Sequence, residues 1–74
     1  MPEHVYKIIE LAGTSTRSIE DGINNAITRA ANSLHNLRWF ELKEVRGHVE
    51  AGQVSQYQVV IRVGFTLDDS TSAG

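Results

Sequence analysis

The chain has 74 residues, no cysteine and a formal net charge of −2 at neutral pH. A domain this small buries a low fraction of its surface and needs a further source of stability, and the absence of cysteine excludes disulfides and the common zinc frameworks. Oligomerisation is therefore favoured. The seven basic residues are scattered along the chain, so we expect no nucleic-acid partner, because phosphate neutralisation needs a basic stripe.

Residues 1–6 carry a carboxylate and a histidine where a secretory signal would need positive charge followed by an apolar run. Uninterrupted apolar runs are two or three residues long, whereas a helix that spans a membrane needs about 20. We therefore expect a cytoplasmic protein without a membrane segment. Residues 1–67 are predicted to form a single domain, and residues 68–74 are predicted to be a polar, disordered tail.

The first half of the chain predicts a strand and a helix. Residues 4–12 are rich in β-branched side chains and are closed by Gly13, which favours a strand followed by a turn. Hydroxyl side chains and early acidic residues then predict a helix that begins near Thr16 and ends near His35 and Asn36. The predicted helix has one apolar face, formed by Ile19, Ile23, Ala26, Ile27, Ala30, Ala31 and Leu34.

The second half predicts a hairpin of two strands, residues 38–49 and 54–67, joined by a turn centred on Ala51 and Gly52. A bulge is expected at Gly47. In the last strand, alternate residues from Tyr57 to Leu67 are expected to face the helix. The order strand, helix, strand, strand predicts an α+β subunit, β-α-β-β, with a three-stranded antiparallel sheet of order 1-3-2 and the helix on one face.

The face that the helix leaves uncovered carries the residues of interest. The predicted turn places Trp39 opposite Gly64 and Val45 opposite Gln58, with all four on this face. A lone tryptophan beside a glycine, with an amide on the same surface, is compatible with a ligand-stacking platform, although a lone tryptophan on a sheet is more often a packing or interface residue. The same register puts Arg46 on the helix side, unless the neighbouring glycine lets it escape.

Other kinds of site find little support. The three histidines, His4, His35 and His48, lie on separate predicted elements without ligand spacing, so no metal site is expected. The sequence contains no nucleophile with an adjacent base, no phosphate loop and no convincing carboxylate pair, so no catalytic residue is proposed and the protein is not expected to be an enzyme.

Three segments, VYKIIELAGTS, RWFELKEVRGHV and YQVVIRVGF, together resemble the dodecins in order and spacing, over about residues 5–68. The resemblance implies a hollow homododecamer that binds flavin in pairs at subunit contacts, each pair sandwiched by a tryptophan from each of two subunits. By the same resemblance, Trp39 matches that tryptophan, Gln58 the glutamine that binds the isoalloxazine edge, and Arg46 the arginine of bacterial members. Glu44 matches a position that can contact the ribityl chain.

The implied function is storage or buffering of flavin, mainly flavin mononucleotide (FMN), with riboflavin and flavin adenine dinucleotide (FAD) as alternatives. Some bacterial dodecins are also reported to bind coenzyme A at another subunit contact, and the sequence assigns no residues to it. Two other functions stay open. The protein could have no storage role and be either a structural oligomer or a module that binds coenzyme A or flavin. Alternatively, it could be a small flavin-dependent oxidoreductase. The expected partners are other copies of the chain and a small-molecule flavin.

Overall fold

The computed structural model describes residues 5–67. Three strands and one helix follow the predicted order: β1 (Tyr6–Ser15), α1 (Ile19–Ala31), β2 (Leu37–Glu50) and β3 (Gln53–Thr66). The bounds of β2 and β3 agree with the prediction to within one residue. His4, at which the first strand was predicted to begin, and the predicted tail at residues 68–74 lie outside the described residues.

The sheet has the predicted order β1-β3-β2, and both pairings of β3 are antiparallel. The strand-helix-strand connection therefore joins the two outer strands, and the C-terminal strand fills the place between them. The central strand is buried by α1 at Val59, Ile61 and Val63, of which none is more than 1% exposed. This confirms the predicted helix-facing parity of β3. The opposite surface of the sheet, called the open face below, is not covered by the helix.

The strip of α1 that is buried against the sheet is made of small residues, Gly22, Ala26 and Ala30. The larger apolar residues Ile23 and Ile27 lie at its sides and are only partly buried. These residues lie about one helical turn apart and so share one side of the helix. Because their side chains are small, the helix backbone can lie close to β1.

Strand β1 continues past Gly13, so the turn predicted there is wrong: Gly13 pairs with Val59 and the strand ends at Ser15. The Ser15 hydroxyl accepts hydrogen bonds from the backbone N–H of Arg17 at 2.8 Å and of Ser18 at 3.3 Å. Because residues 15–18 form this turn, the helix begins at Ile19 and not near Thr16.

Helix α1 is shorter than predicted at both ends. At the start, the Ser18 hydroxyl accepts a hydrogen bond from the backbone N–H of Asp21 at 2.9 Å and caps the helix. At the end, the helix stops at Ala31, and the N–H of Leu34 still donates to the Ala30 carbonyl at 2.8 Å. Asn36 then reverses the chain with a φ of 65°, a conformation that asparagine tolerates better than most residues.

The predicted hairpin turn is confirmed. Ala51 and Gly52 are its central residues, with φ angles of 52° and 76°. Two successive positive φ values are the mark of a type I′ turn, whose twist matches that of the strands it joins.

The ladder between β2 and β3 contains three irregularities, which sequence analysis did not locate. They lie between Leu37 and Trp39, between Leu42 and Glu44, and between His48 and Val49. In the last of these, Val49 pairs with Val54 and His48 with Gln56, so Ser55 is an extra residue on β3. The Ser55 hydroxyl donates a hydrogen bond to the His48 carbonyl at 3.3 Å.

This bulge at Ser55 changes the predicted pairing. Arg46 lies opposite Gln58, so the predicted pair of Val45 with Gln58 is wrong, and so is the placement of Arg46 on the helix side. Gly47 is not bulged, since it pairs with Tyr57. A side chain at Gly47 would put its Cβ 2.5 Å from the Gln56 carbonyl oxygen, so glycine is needed for close approach of the strands beside the bulge.

A second bulge restores the register. Leu42 pairs with Ile61 and Glu44 with Val60, so Lys43 is an extra residue on β2. Between the turn and Trp39 each strand carries one extra residue, so the two shifts cancel there, and Arg38 is a further extra residue of β2 beyond Trp39. Trp39 consequently lies opposite Gly64, as predicted.

Candidate functional site

The open face is built from alternate residues of all three strands. On the central strand these residues point away from the buried valines and isoleucine that face α1. Because directly paired residues of an antiparallel sheet share a face, the register fixes which residues of β1 and β2 join them. On β3 the open face comprises Gln56, Gln58, Val60, Arg62, Gly64 and Thr66.

Trp39 dominates one end of the open face. Its indole lies over Gly64, where a Cβ would overlap the ring atoms Cε2 and Cζ2 and lie 2.6 Å from Nε1. Any other residue at position 64 would therefore displace the indole. Trp39 is still 37% exposed, so the ring has accessible aromatic surface while its edge atoms cover the central strand.

Tyr6 contacts this tryptophan from the far strand. The two ring centroids are 6.2 Å apart and the ring planes meet at 68°, an edge-to-face arrangement. Sequence reasoning did not identify Tyr6 as part of the site, because it aligned β2 with β3 but not β1 with β3. The sheet order requires β1 to pair with β3, but no turn fixes the register between them. The observed pairing of Ile8 with Gly64 is what places Tyr6 near the indole.

An ionic cluster occupies the middle of the open face and spans the three strands. Glu10 Oε2 lies 2.8 Å from Lys43 Nζ and 3.2 Å from Arg62 Nε, and Arg62 Nη1 lies 3.9 Å from Glu41 Oε1. The hydrogen bonds from Lys43 and then Arg62 hold the pKa of Glu10 below its ordinary value of 4.5. Glu10 is therefore ionised at neutral pH, and the bulge at Lys43 supplies one of its two cations.

The remaining predicted site residues lie together at the other end of the open face. Gln58 on β3 is half-buried and lies between Thr14 of β1 and Arg46 of β2. Arg46 Nη2 lies 2.8 Å from Glu44 Oε1, with both side chains largely exposed. The structure thus brings together Gln58, Arg46 and Glu44 on one surface, a result that depends on the bulge at Ser55.

Trp39 is not part of that group within a single chain. Gly64 lies six positions after Gln58 along β3, which corresponds to about 20 Å in an extended strand. One planar ligand cannot stack on Trp39 and bond to Gln58 of the same chain. A site that uses both residues must therefore combine two copies of the chain.

Within residues 5–67, no helix is both long and apolar enough to cross a membrane. The same residues contain no group of three or more histidine, aspartate or glutamate side chains placed to hold a metal ion.

Comparison with known proteins identifies the family. The Dodecin family model matches residues 5–68. A dodecin from Thermus thermophilus is 47% identical over 66 residues, which are 89% of this chain and 96% of that protein. The structure of dodecin from Streptomyces coelicolor is similar with a TM-score of 0.86 and 43% identity, over 92% of this chain and 97% of that one. For dodecin from Streptomyces davaonensis the TM-score is 0.83 and the identity 46%, over 88% and 96% of the two chains. The chain belongs to the dodecin family.

Proposed function

We propose that this protein binds flavin, chiefly FMN, between Trp39 side chains of neighbouring subunits in a homododecamer, and that it stores or buffers the flavin without catalysing a reaction. Riboflavin and FAD present the same ring and are expected to enter the same site. The proposal extends what membership of the dodecin family implies to particular residues of this chain.

The observation that carries the proposal is the position of the Trp39 indole. It lies on the side of the sheet that α1 leaves uncovered, over a residue without a side chain, and it retains exposed aromatic surface. An indole that only anchored the fold would be expected among the buried residues under α1, and Trp39 is not one of them. A planar aromatic ligand is well suited to such a surface.

The separation of Trp39 from Gln58 supports a site shared between subunits. A flavin stacked on the indole of one chain is out of reach of Gln58 of that chain, whereas a second copy can bring its own Gln58 to the ring edge. Oligomerisation then has two causes, the small core and an incomplete site.

The polar residues of the open face have chemistry that fits a flavin. The Gln58 amide offers both a donor and an acceptor, as the alternating polar edge of the isoalloxazine ring requires. The Arg46 guanidinium, held by Glu44, is suited to an anion or to stacking on a flat ring. When flavin is bound, the electron-rich indole is expected to quench the excited state of the isoalloxazine ring.

Sequestration without turnover also agrees with the charges of the open face. Its carboxylates have basic partners: Glu10 has Lys43 and Arg62, Glu41 has Arg62, and Glu44 has Arg46. A flavin covered on its ring faces leaves little room for a substrate over its reactive atoms. Coenzyme A binding, implied only by the resemblance, is proposed without assigned residues.

A titration of FMN with the purified protein tests the proposal. FMN fluorescence is expected to be quenched, with saturation at as many flavins as chains. Light scattering on the same samples is expected to give a mass well above that of a trimer. Full FMN fluorescence in the presence of excess assembled protein would contradict flavin binding and favour a purely structural oligomer.

Replacing Gln58 by leucine is expected to weaken flavin binding selectively. Leucine keeps similar bulk but leaves the polar ring edge without a partner, which costs about 1 to 3 kcal/mol. A flat tricyclic dye without polar edge groups should lose no affinity, because stacking does not depend on edge chemistry. Both ligands are titrated with both proteins by following ligand fluorescence.

Gln56→Leu is the matched control for this substitution. Gln56 lies two residues before Gln58 on the same face of β3 and pairs with His48. It is not assigned to the flavin, so its replacement should leave both affinities unchanged. Equal losses for riboflavin and the dye in Gln58→Leu would mean that Gln58 acts through packing and not through recognition.

A further inference from the structure

The Tyr6 ring reaches the Trp39 indole from the opposite edge of the sheet. Tyr6 begins β1 and Trp39 lies in β2, with the whole width of β3 between them. The contact is possible because Gly64 leaves the central strand bare at this point, so that the indole can extend across it. The ring centroids are 6.2 Å apart and the interplanar angle is 68°.

Two neighbours thus restrict the rotation of the Trp39 side chain. The backbone at Gly64 lies beneath it, and the Tyr6 ring meets it at an edge. A tryptophan side chain turns about two bonds and would otherwise exchange among several staggered rotamers on an open sheet. Fixing the orientation before a ligand arrives lowers the entropy cost of binding.

We propose that Tyr6 is a positioning residue, which holds the Trp39 indole in the orientation that stacks on flavin. The proposal rests on the proposed function and adds a residue to it. Tyr6 is 43% exposed and is not among the residues that form the core beneath α1. A contribution to the core therefore does not account for the contact, whereas a contribution to the indole does.

The experiment removes the Tyr6 ring and follows the indole directly. Trp39 is the only tryptophan of the chain, so its fluorescence reports on one side chain. Time-resolved anisotropy and near-ultraviolet circular dichroism are recorded on the full-length, flavin-free protein. The variants are Tyr6→Leu, Tyr6→Val and Tyr6→Phe, each first checked for the wild-type mass in solution, and each is then titrated with FMN.

Tyr6→Leu and Tyr6→Val are expected to add a fast indole motion, to reduce the near-ultraviolet signal and to weaken FMN binding about two- to tenfold, as loss of an aromatic pair implies. Tyr6→Phe retains the ring and should match wild type in all three measurements. Tyr57→Leu removes the other tyrosine, which lies on the helix side of β3, and should leave the indole motion unchanged.

Wild-type anisotropy and FMN affinity in the folded leucine or valine variant would overturn the proposal. So would a loss in Tyr6→Phe as large as in Tyr6→Leu, because the hydroxyl and not the ring would then be responsible. If FMN does not bind to wild type at all, the proposed function fails, while the anisotropy comparison still decides whether Tyr6 orients the indole.

Discussion

Trp39→Ala is expected to abolish most flavin binding and to leave the subunit folded and assembled. The substitution removes the stacking surface, which contributes on the order of 1 kcal/mol beyond the apolar area that is lost with it. The core formed by Val59, Ile61 and Val63 lies on the other side of the sheet and keeps its contacts with α1. Quenching of FMN fluorescence at a fixed protein concentration measures the loss.

Phe40→Ala is the matched control for Trp39→Ala. Phe40 is the next residue along β2, is similarly exposed at 48%, and pairs with Val63, so it lies on the helix side. Its removal should leave FMN quenching unchanged in protein of wild-type mass. Wild-type quenching by an assembled Trp39→Ala variant would refute the assignment of the site to this indole.

Gly13→Ala is expected to destabilise the fold by about 1 to 3 kcal/mol, as overpacking typically does. A Cβ at residue 13 would overlap the carbonyl oxygen of Gly22 and lie 2.8 Å from the Cβ of Ala26. Both neighbours belong to the body of α1, and neither is the flexible end of a side chain. The helix must therefore move away from β1, which disturbs the packing of the core.

Gly22→Ala provides the comparison, since it is the same chemical change on the other side of the same contact. The new Cβ would lie 3.6 Å from Val59 Cγ2 and 3.7 Å from the Gly13 carbonyl oxygen, which are ordinary van der Waals distances. Alanine is favoured over glycine in a helix by about 1 kcal/mol, so this variant should be more stable than wild type. Urea unfolding at one protein concentration measures both variants. Equal destabilisation by the two substitutions would contradict the close approach at Gly13.

Local rules predicted much of the fold. Hydrophobic alternation identified the helix-facing side of β3, and the Ala51-Gly52 pair identified the turn, because positive φ angles restrict the residues that can occupy them. Helix boundaries were less accurate: several hydroxyl residues precede α1, and only the structure shows that Ser15 forms a turn and Ser18 the cap.

The arrangement of the candidate site was only partly predictable. A turn fixes the register as far as the first bulge, and nothing in the composition around Ser55 or Lys43 marks an extra residue. The Trp39 and Gly64 pairing was correct because two unpredicted shifts cancel. The side of the sheet on which Arg46 lies was wrong, because Arg46 falls between the two bulges.

The two bulges also determine where this chain can change in length. Deleting Lys43 would close the ladder between Leu42 and Glu44 and leave every other pair of the hairpin in place, at the cost of one cation for Glu10. Deleting a paired residue such as Glu41 would instead turn the preceding residues to the other face, unless Lys43 moved into the ladder to replace it. Single-residue deletions in β2 and β3 should therefore be tolerated at the extra residues of the ladder and selected against at paired residues.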